Sequence, residues 1–127
     1  ITNIAGSSDI FECGFVTYSN DSKARLLNVP PALIVQHGAV SAEVARAMAE
    51  GALNLSSATL SVAITGIAGP GGGSATKPVG LVHFASASKA HPTRQIEKRY
   101  GEQTRDVIRA AAVVTALEFL IEALDRF

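Results

Sequence analysis

Thirteen residues, Gly66 to Pro78, constrain most of what this chain can fold into. Five are glycine and two are proline, which gives helix and strand little to build on. On either side stand mostly apolar runs, Thr59 to Thr65 and Val79 to Ser88, each of a length that suits a buried strand. The stretch is too short for a domain linker, so both runs belong to one sheet. A loop that leaves a buried strand lies at the carboxyl edge of the sheet, where open α/β folds bind ligands. Its glycines admit positive φ and close approach of a ligand to the main chain, and successive N–H groups can form a concave anion site. Composition alone fits a floppy surface turn equally well. The loop is not a P-loop, because no Lys-Ser/Thr follows at the right spacing, and it is not a dinucleotide fingerprint.

The rest of the chain alternates helix and strand signals. Ala5-Gly6-Ser7-Ser8 reads as a helix stop and turn. Gly14 to Ser19 reads as a strand through Phe15, Val16, Thr17 and Tyr18. Asn20 then caps a short helix over Asp21 to Leu27. Pro30 and Pro31 break it, and Pro31 starts another through Gln36. Ser41 caps a helix over Ala42 to Leu55 whose apolar face is Val44, Ala45, Met48, Ala52 and Leu55. A strand at Thr93 to Tyr100 can form an antiparallel hairpin with the one before it. The last helix spans Thr104 to Asp125, with Val107, Ala111, Val114, Leu117, Ile121 and Leu124 as its core stripe. The expected fold is α/β: a single layered α/β/α-type domain over residues 1–127, with a mixed sheet flanked by helices.

Composition narrows the partners. With 47% hydrophobic and 17% charged residues the chain can fill a core. Eleven basic side chains balance eleven acidic ones, and Glu97, Glu102 and Asp106 interrupt the locally basic stretch from Arg94 to Arg109. No nucleic-acid partner is expected. No apolar run reaches the roughly 18 residues of a membrane span, so no membrane partner is expected either. The single cysteine, Cys13, cannot form an internal disulfide, which fits a cytoplasmic protein. Between Phe11 and Phe15 it reads as a small buried hydrophobe. The chain opens at Ile1 without Met, and Ile-Thr-Asn-Ile reads as the tail of an earlier element, so an N-terminal extension is expected.

Few residues announce chemistry. Tyr18 ends a strand and Lys23 follows in the next helix. A partly desolvated lysine can lose its proton and act as a base, with a tyrosine to orient it. Such a lysine is more commonly a solvated surface group. His37, His83 and His91 are far apart and lack a cysteine partner, so no metal site is expected. Arg105 and Arg109 share a face near the start of the last helix. They suit either a phosphate or carboxylate grip, or ion pairing with Glu102 and Asp106 in a solvated turn.

Two long motifs go further. The first is Gly14-Phe-Val-Thr-Tyr-Ser-Asn-Asp-Ser-Lys-Ala-Arg-Leu-Leu27 with Gln36-His-Gly-Ala-Val-Ser-Ala-Glu-Val-Ala45. The second is Ala63-Ile-Thr-Gly-Ile-Ala-Gly-Pro-Gly-Gly-Gly-Ser74 with Lys77-Pro-Val-Gly80. Together they resemble the CinA C-terminal domain family, the nicotinamide mononucleotide deamidases, over nearly the whole chain. The resemblance implies an amidohydrolase with no metal and no cofactor, acting on a small-molecule nucleotide. Its products are nicotinic acid mononucleotide and ammonia, within pyridine nucleotide recycling. It implies a Ser/Lys mechanism with Lys23 as base, joined by Tyr18 and Thr65 as catalytic groups. It places Gly66, Ile67, Ala68, Gly69, Gly71, Gly72, Gly73 and Ser74 around the nucleotide, with Arg105 and Arg109 as further binding residues. Two extra residues, Gln103 and Thr104, precede that first arginine. The family nucleophile lies in a Glu-Ser-Cys-Thr-Gly-Gly motif upstream, which this sequence does not contain; Ser7 and Ser8 match a different family position. These residues alone should therefore not turn over substrate, and a non-catalytic nucleotide-binding or scaffolding module is the alternative. The resemblance also implies a homo-oligomer. The family name points to competence and DNA damage, but no residue here argues for contact with DNA.

Overall fold

The computed structural model describes residues 1–127. After a short 3-10 turn at Ser7–Asp9, the elements are α1 (Asn20–Leu27), α2 (Pro31–His37), α3 (Ala42–Asn54), β1 (Leu60–Gly66), β2 (Leu81–Ser88), β3 (Arg94–Arg99) and α4 (Arg105–Leu124). The α/β class and the packing of helices on a sheet match the expectation from sequence. Helix α1 is capped by Ser19, one residue earlier than expected. Its Oγ accepts from Ser22 N while Ser22 Oγ accepts from Ser19 N, a closed capping box.

The sheet has the order β1-β2-β3, and both pairings are antiparallel. The hairpin expected between the last two strands is therefore the rule for the whole sheet. Main-chain bonds from Lys89 N to Thr59 O and from Ile67 N to Leu81 O fix the odd residues of β1 as the hydrogen-bonded partners of β2. The even residues Leu60, Val62 and Ile64 therefore turn their N–H and C=O groups outward, to an edge with no partner strand.

Gly14 to Ser19 does not form the expected strand. From Glu12 to Tyr18 the main chain makes no hydrogen bond to other main chain. Strand propensity alone cannot hold a ladder without a neighbour. The same openness overturns the reading of Cys13 as buried: its thiol is exposed.

Two cores lie on opposite faces. On one, α3 packs against Ala63, Ala85 and Ala87, whose small side chains let the helix come close, and Ser61 Oγ donates to Ala49 O at 2.7 Å. Gly51 lies where the end of α1 crosses α3; a Cβ there would run into the Leu27 carbonyl. Leu55, expected on the apolar face of α3, falls just past the helix end and is exposed. On the other face, Ile108, Ala112, Ala116 and Phe119 of α4 close over Val82 and Phe84. This corrects the expected core stripe of α4. Val107, Val114, Leu117, Ile121 and Leu124 are exposed, and Ala111 is only half-buried. The helix is apolar on both sides, so its periodicity does not say which side faces the sheet. No helix is long and apolar enough to cross a membrane.

Candidate functional site

The bare stretch Glu12–Tyr18 and the free edge of β1 face each other across a cleft of about 670 Å³, lined mostly by apolar groups. Lys23 lies on its wall with Thr17 and Tyr18. The capping box at Ser19 sets the start of α1 so that Lys23 points inward, and the residue is only 6% exposed. Its Nζ donates to Thr17 O at 2.7 Å and has no carboxylate partner. Burial without a counter-charge pushes the Lys23 ammonium below the usual lysine range. A buried amine with a lowered proton affinity, at the wall of an open cleft, gives up its proton more readily than a solvated lysine does.

Tyr18 shares that cleft, but its hydroxyl turns to Arg105, accepting from Nη2 at 3.2 Å. Arg105 Nη1 donates to Gly69 O at 2.9 Å. Arg105 therefore ties the start of α4 to the end of the cleft and to the glycine loop. Arg109 is exposed and makes no hydrogen bond, so the two arginines do not form a joint grip.

The loop is held at both ends. Gly66 and Ile67 continue the β1 ladder, Ala68 packs on the α4 core, and Lys77 Nζ donates to His37 O. Ser74 Oγ accepts from Lys77 N at 3.1 Å. Between these ties the N–H groups of Gly71, Gly72 and Gly73 have no partner in the chain. Gly71 to Ser74 line a second, polar recess of about 430 Å³ with Pro70, Pro78, Val79, Arg99, Gly101 and Glu102. Unpaired N–H groups beside an arginine suit an anion or a polyhydroxy group. Local spacing does not mark Arg99 or Glu102 as a site residue. The weak alternation of β3 hides which of its side chains meets the loop.

Thr65 lies apart from both recesses. It is buried, and its hydroxyl donates to Ala39 O at 2.8 Å, pinning the turn before α3 to the sheet. Beside it in register stand His83 and then Glu97. Burial, the leading cause, pushes the His83 imidazole below its usual range. Lys77 and Arg99 act in the same sense, and Glu97 and Glu43 oppose them. The hydrogen bond from Arg99 holds the Glu97 carboxyl below its usual range. No group of three or more His, Cys, Asp or Glu side chains converges as a metal site would require.

Comparison with known proteins gives this geometry a setting. The family model described as CinA C-terminal domain matches residues 1–124. A CinA-like protein of Geobacter sulfurreducens is 52% identical over 120 residues, covering 94% of this chain and 29% of that protein. The chain thus spans under a third of that relative's length. Among solved structures, the competence/damage inducible protein CihA from Agrobacterium tumefaciens has a TM-score of 0.94 at 53% identity, covering 95% of this chain and 73% of that one. The competence damage-inducible protein A from Klebsiella pneumoniae has a TM-score of 0.92 at 30% identity, covering 99% of this chain and 77% of that one.

Proposed function

The chain belongs to the CinA C-terminal domain family, and from that premise we propose that it supplies the base and the nucleotide loop of an amidohydrolase that deamidates nicotinamide mononucleotide. The observation that carries the reading is Lys23: buried, uncompensated by any carboxylate, and set on the wall of an open cleft.

In the proposed reaction a serine hydroxyl attacks the carboxamide carbon and gives its proton to Lys23 in the neutral form. The oxyanion that develops needs N–H donors fixed in place beforehand. The C–N bond then breaks, and ammonia leaves with the proton that Lys23 returns. Water hydrolyses the acyl-serine to the carboxylate and frees the serine. The overall balance is amide plus water to carboxylate plus ammonium, the acid proton released in deacylation ending on the ammonia. The resemblance puts that serine in a motif outside residues 1–127, so the proposed activity belongs to a polypeptide that includes it. The unpaired N–H groups of Gly71 to Gly73, beside Arg99, supply a place for the phosphate or ribose.

The test is ammonia release from nicotinamide mononucleotide by residues 1–127 fused to the serine-bearing segment of the family. Release that disappears in Lys23→Met and in the serine variant supports the reading. A fusion that folds and binds the nucleotide but releases no ammonia rejects it. That outcome leaves the second reading, a non-catalytic nucleotide-binding or scaffolding module, which the polar recess with its unpaired N–H groups favours.

A further inference from the structure

We propose that Lys77 is the residue that positions the glycine loop for the nucleotide, acting through the carbonyl of His37 rather than by touching the ligand. This role rests on the deamidase reading in one respect, that the polar recess seats the nucleotide. The reaction itself leaves the motif Lys77-Pro-Val-Gly80 without a part.

Three consecutive carbonyls between α2 and α3 each accept from a side chain of a different part of the chain. His37 O accepts from Lys77 Nζ, Gly38 O from Ser41 Oγ at 2.8 Å, and Ala39 O from Thr65 Oγ1 at 2.8 Å. Ser41 caps α3, Thr65 leads into the glycine loop, and Lys77 leads out of it. Both ends of the loop therefore bear on one tripeptide, which the start of α3 holds in place. His37 is the last residue of α2, so its carbonyl has no partner within the helix. The end of a helix also carries partial negative charge, which favours an ammonium there. Gly38 makes the room: its φ is +78°, and a Cβ would come within 2.8 Å of Lys77 Nζ.

From Lys77 the constraint passes to the N–H donors. Ser74 N donates to Lys77 O at 2.8 Å and Lys77 N to Ser74 Oγ at 3.1 Å, which closes Ser74 to Lys77 into one turn. Gly71, Gly72 and Gly73 lead directly into that turn, and their own N–H groups have no partner. Val79 supports them from one side; a Cβ on Gly73 would meet its main-chain N at 2.9 Å. The hydrogen bonds that tie Gly69 to Lys77 to the rest of the fold come from two cations, Arg105 at Gly69 O and Lys77 at His37 O. Lys77 does not line the recess, so its ammonium reaches a bound nucleotide only through the loop. A loop ordered in the free protein spares the ligand the entropy of ordering it, which strengthens binding without changing the chemical step.

The test uses the fusion that carries the serine-bearing segment, with its serine variant for binding. In Lys77→Met the affinity for nicotinamide mononucleotide, measured by calorimetry, should fall about tenfold, the worth of one charged hydrogen bond. KM of the active fusion should rise by about the same factor, with kcat held within about twofold. Backbone order parameters of Gly71 to Gly73 in the free protein should drop from about 0.85 towards 0.6. Lys77→Gln, whose amide nitrogen is one atom short of the carbonyl, should match Met. Lys77→Arg, which reaches it, should restore both affinity and order. Unchanged affinity in the Met and Gln variants would overturn the proposal. So would weaker binding over a loop that stays ordered, which marks Lys77 as a direct ligand. A fall in kcat at constant KM, or an Arg variant no better than Met, would overturn it as well. If Lys77→Met does not fold, the Gln and Arg variants decide. A parent fusion that binds no nicotinamide mononucleotide sinks the deamidase reading, and the role of Lys77 then stands or falls by loop order alone.

Discussion

The α3 side and the α4 side of this sheet are built from similar residues and end in opposite states. Val44 on α3 is fully buried, while Val114 on α4 is 54% exposed. Leu27 closes the first core at 3% exposure, and Ile121 stands open at 59%. The α3 side is the more closed: α1, α2 and α3 interlock over alanines, and of their apolar side chains only Leu27, Met48 and Ala52 reach the cleft. The α4 side is finished only over β2, where Phe84 and Phe119 meet; over β1 it gives way to the cleft. The base candidate Lys23 stands at that boundary, anchored in the finished half and facing the open one. Reactive groups are commonly held in this way, with a rigid support behind and access in front.

The contrast is sharpest for matched truncations. Leu27→Ala is expected to cost about 2–5 kcal/mol, because the first core cannot collapse around the gap. Ile121→Ala in the same chain should stay within about 0.5 kcal/mol. Equal losses in urea unfolding would erase the distinction between the two sides. Gly51→Ala comes next, at about 1–3 kcal/mol from overpacking, since its Cβ would meet the Leu27 carbonyl. An unchanged midpoint there would mean that α1 is not seated as described.

Lys23→Met should raise the melting temperature by a few degrees at neutral pH. The lysine pKa is lowered by burial, so the unfolded chain binds the proton more tightly and the native chain gains stability as pH rises towards 10.5. The advantage of Met should therefore shrink on going from neutral to alkaline pH, and a gain that grows instead would contradict the sign. His83 gives the smallest effect. Its pKa is lowered from 6.5, so its contribution is complete above that pH and is lost as pH falls below it. His83→Gln should flatten stability across that acid range, and a slope identical to that of the parent chain would refute the assignment.

Much of the finished half was legible in the sequence. Ser41 and the spacing from Val44 to Met48 announce α3, and the long glycine loop between apolar runs announces two strands of one sheet. The open half was not legible, for identifiable reasons. Phe15 to Tyr18 has every local mark of a strand, but a ladder requires a partner that local propensity does not supply. Helix α4 carries two apolar stripes, and only packing tells which one is core. The motif resemblance brought Lys23 and Tyr18 to one cleft. The hydroxyl of Thr65 is instead spent on Ala39 O, and Arg105 is a strut between the loop and Tyr18. Such contacts join residues far apart in the chain and leave no trace in local spacing.

The most direct test of the central claim is a lysine Cε-labelled NMR titration of residues 1–127. Only four resonances are expected, from Lys23, Lys77, Lys89 and Lys98. The account predicts that one of them, absent in Lys23→Met, loses its proton at a distinctly lower pH than the other three. Four lysines titrating together near the ordinary lysine pKa would show Lys23 to be a solvated ammonium, and the assignment of a base to this cleft would fail.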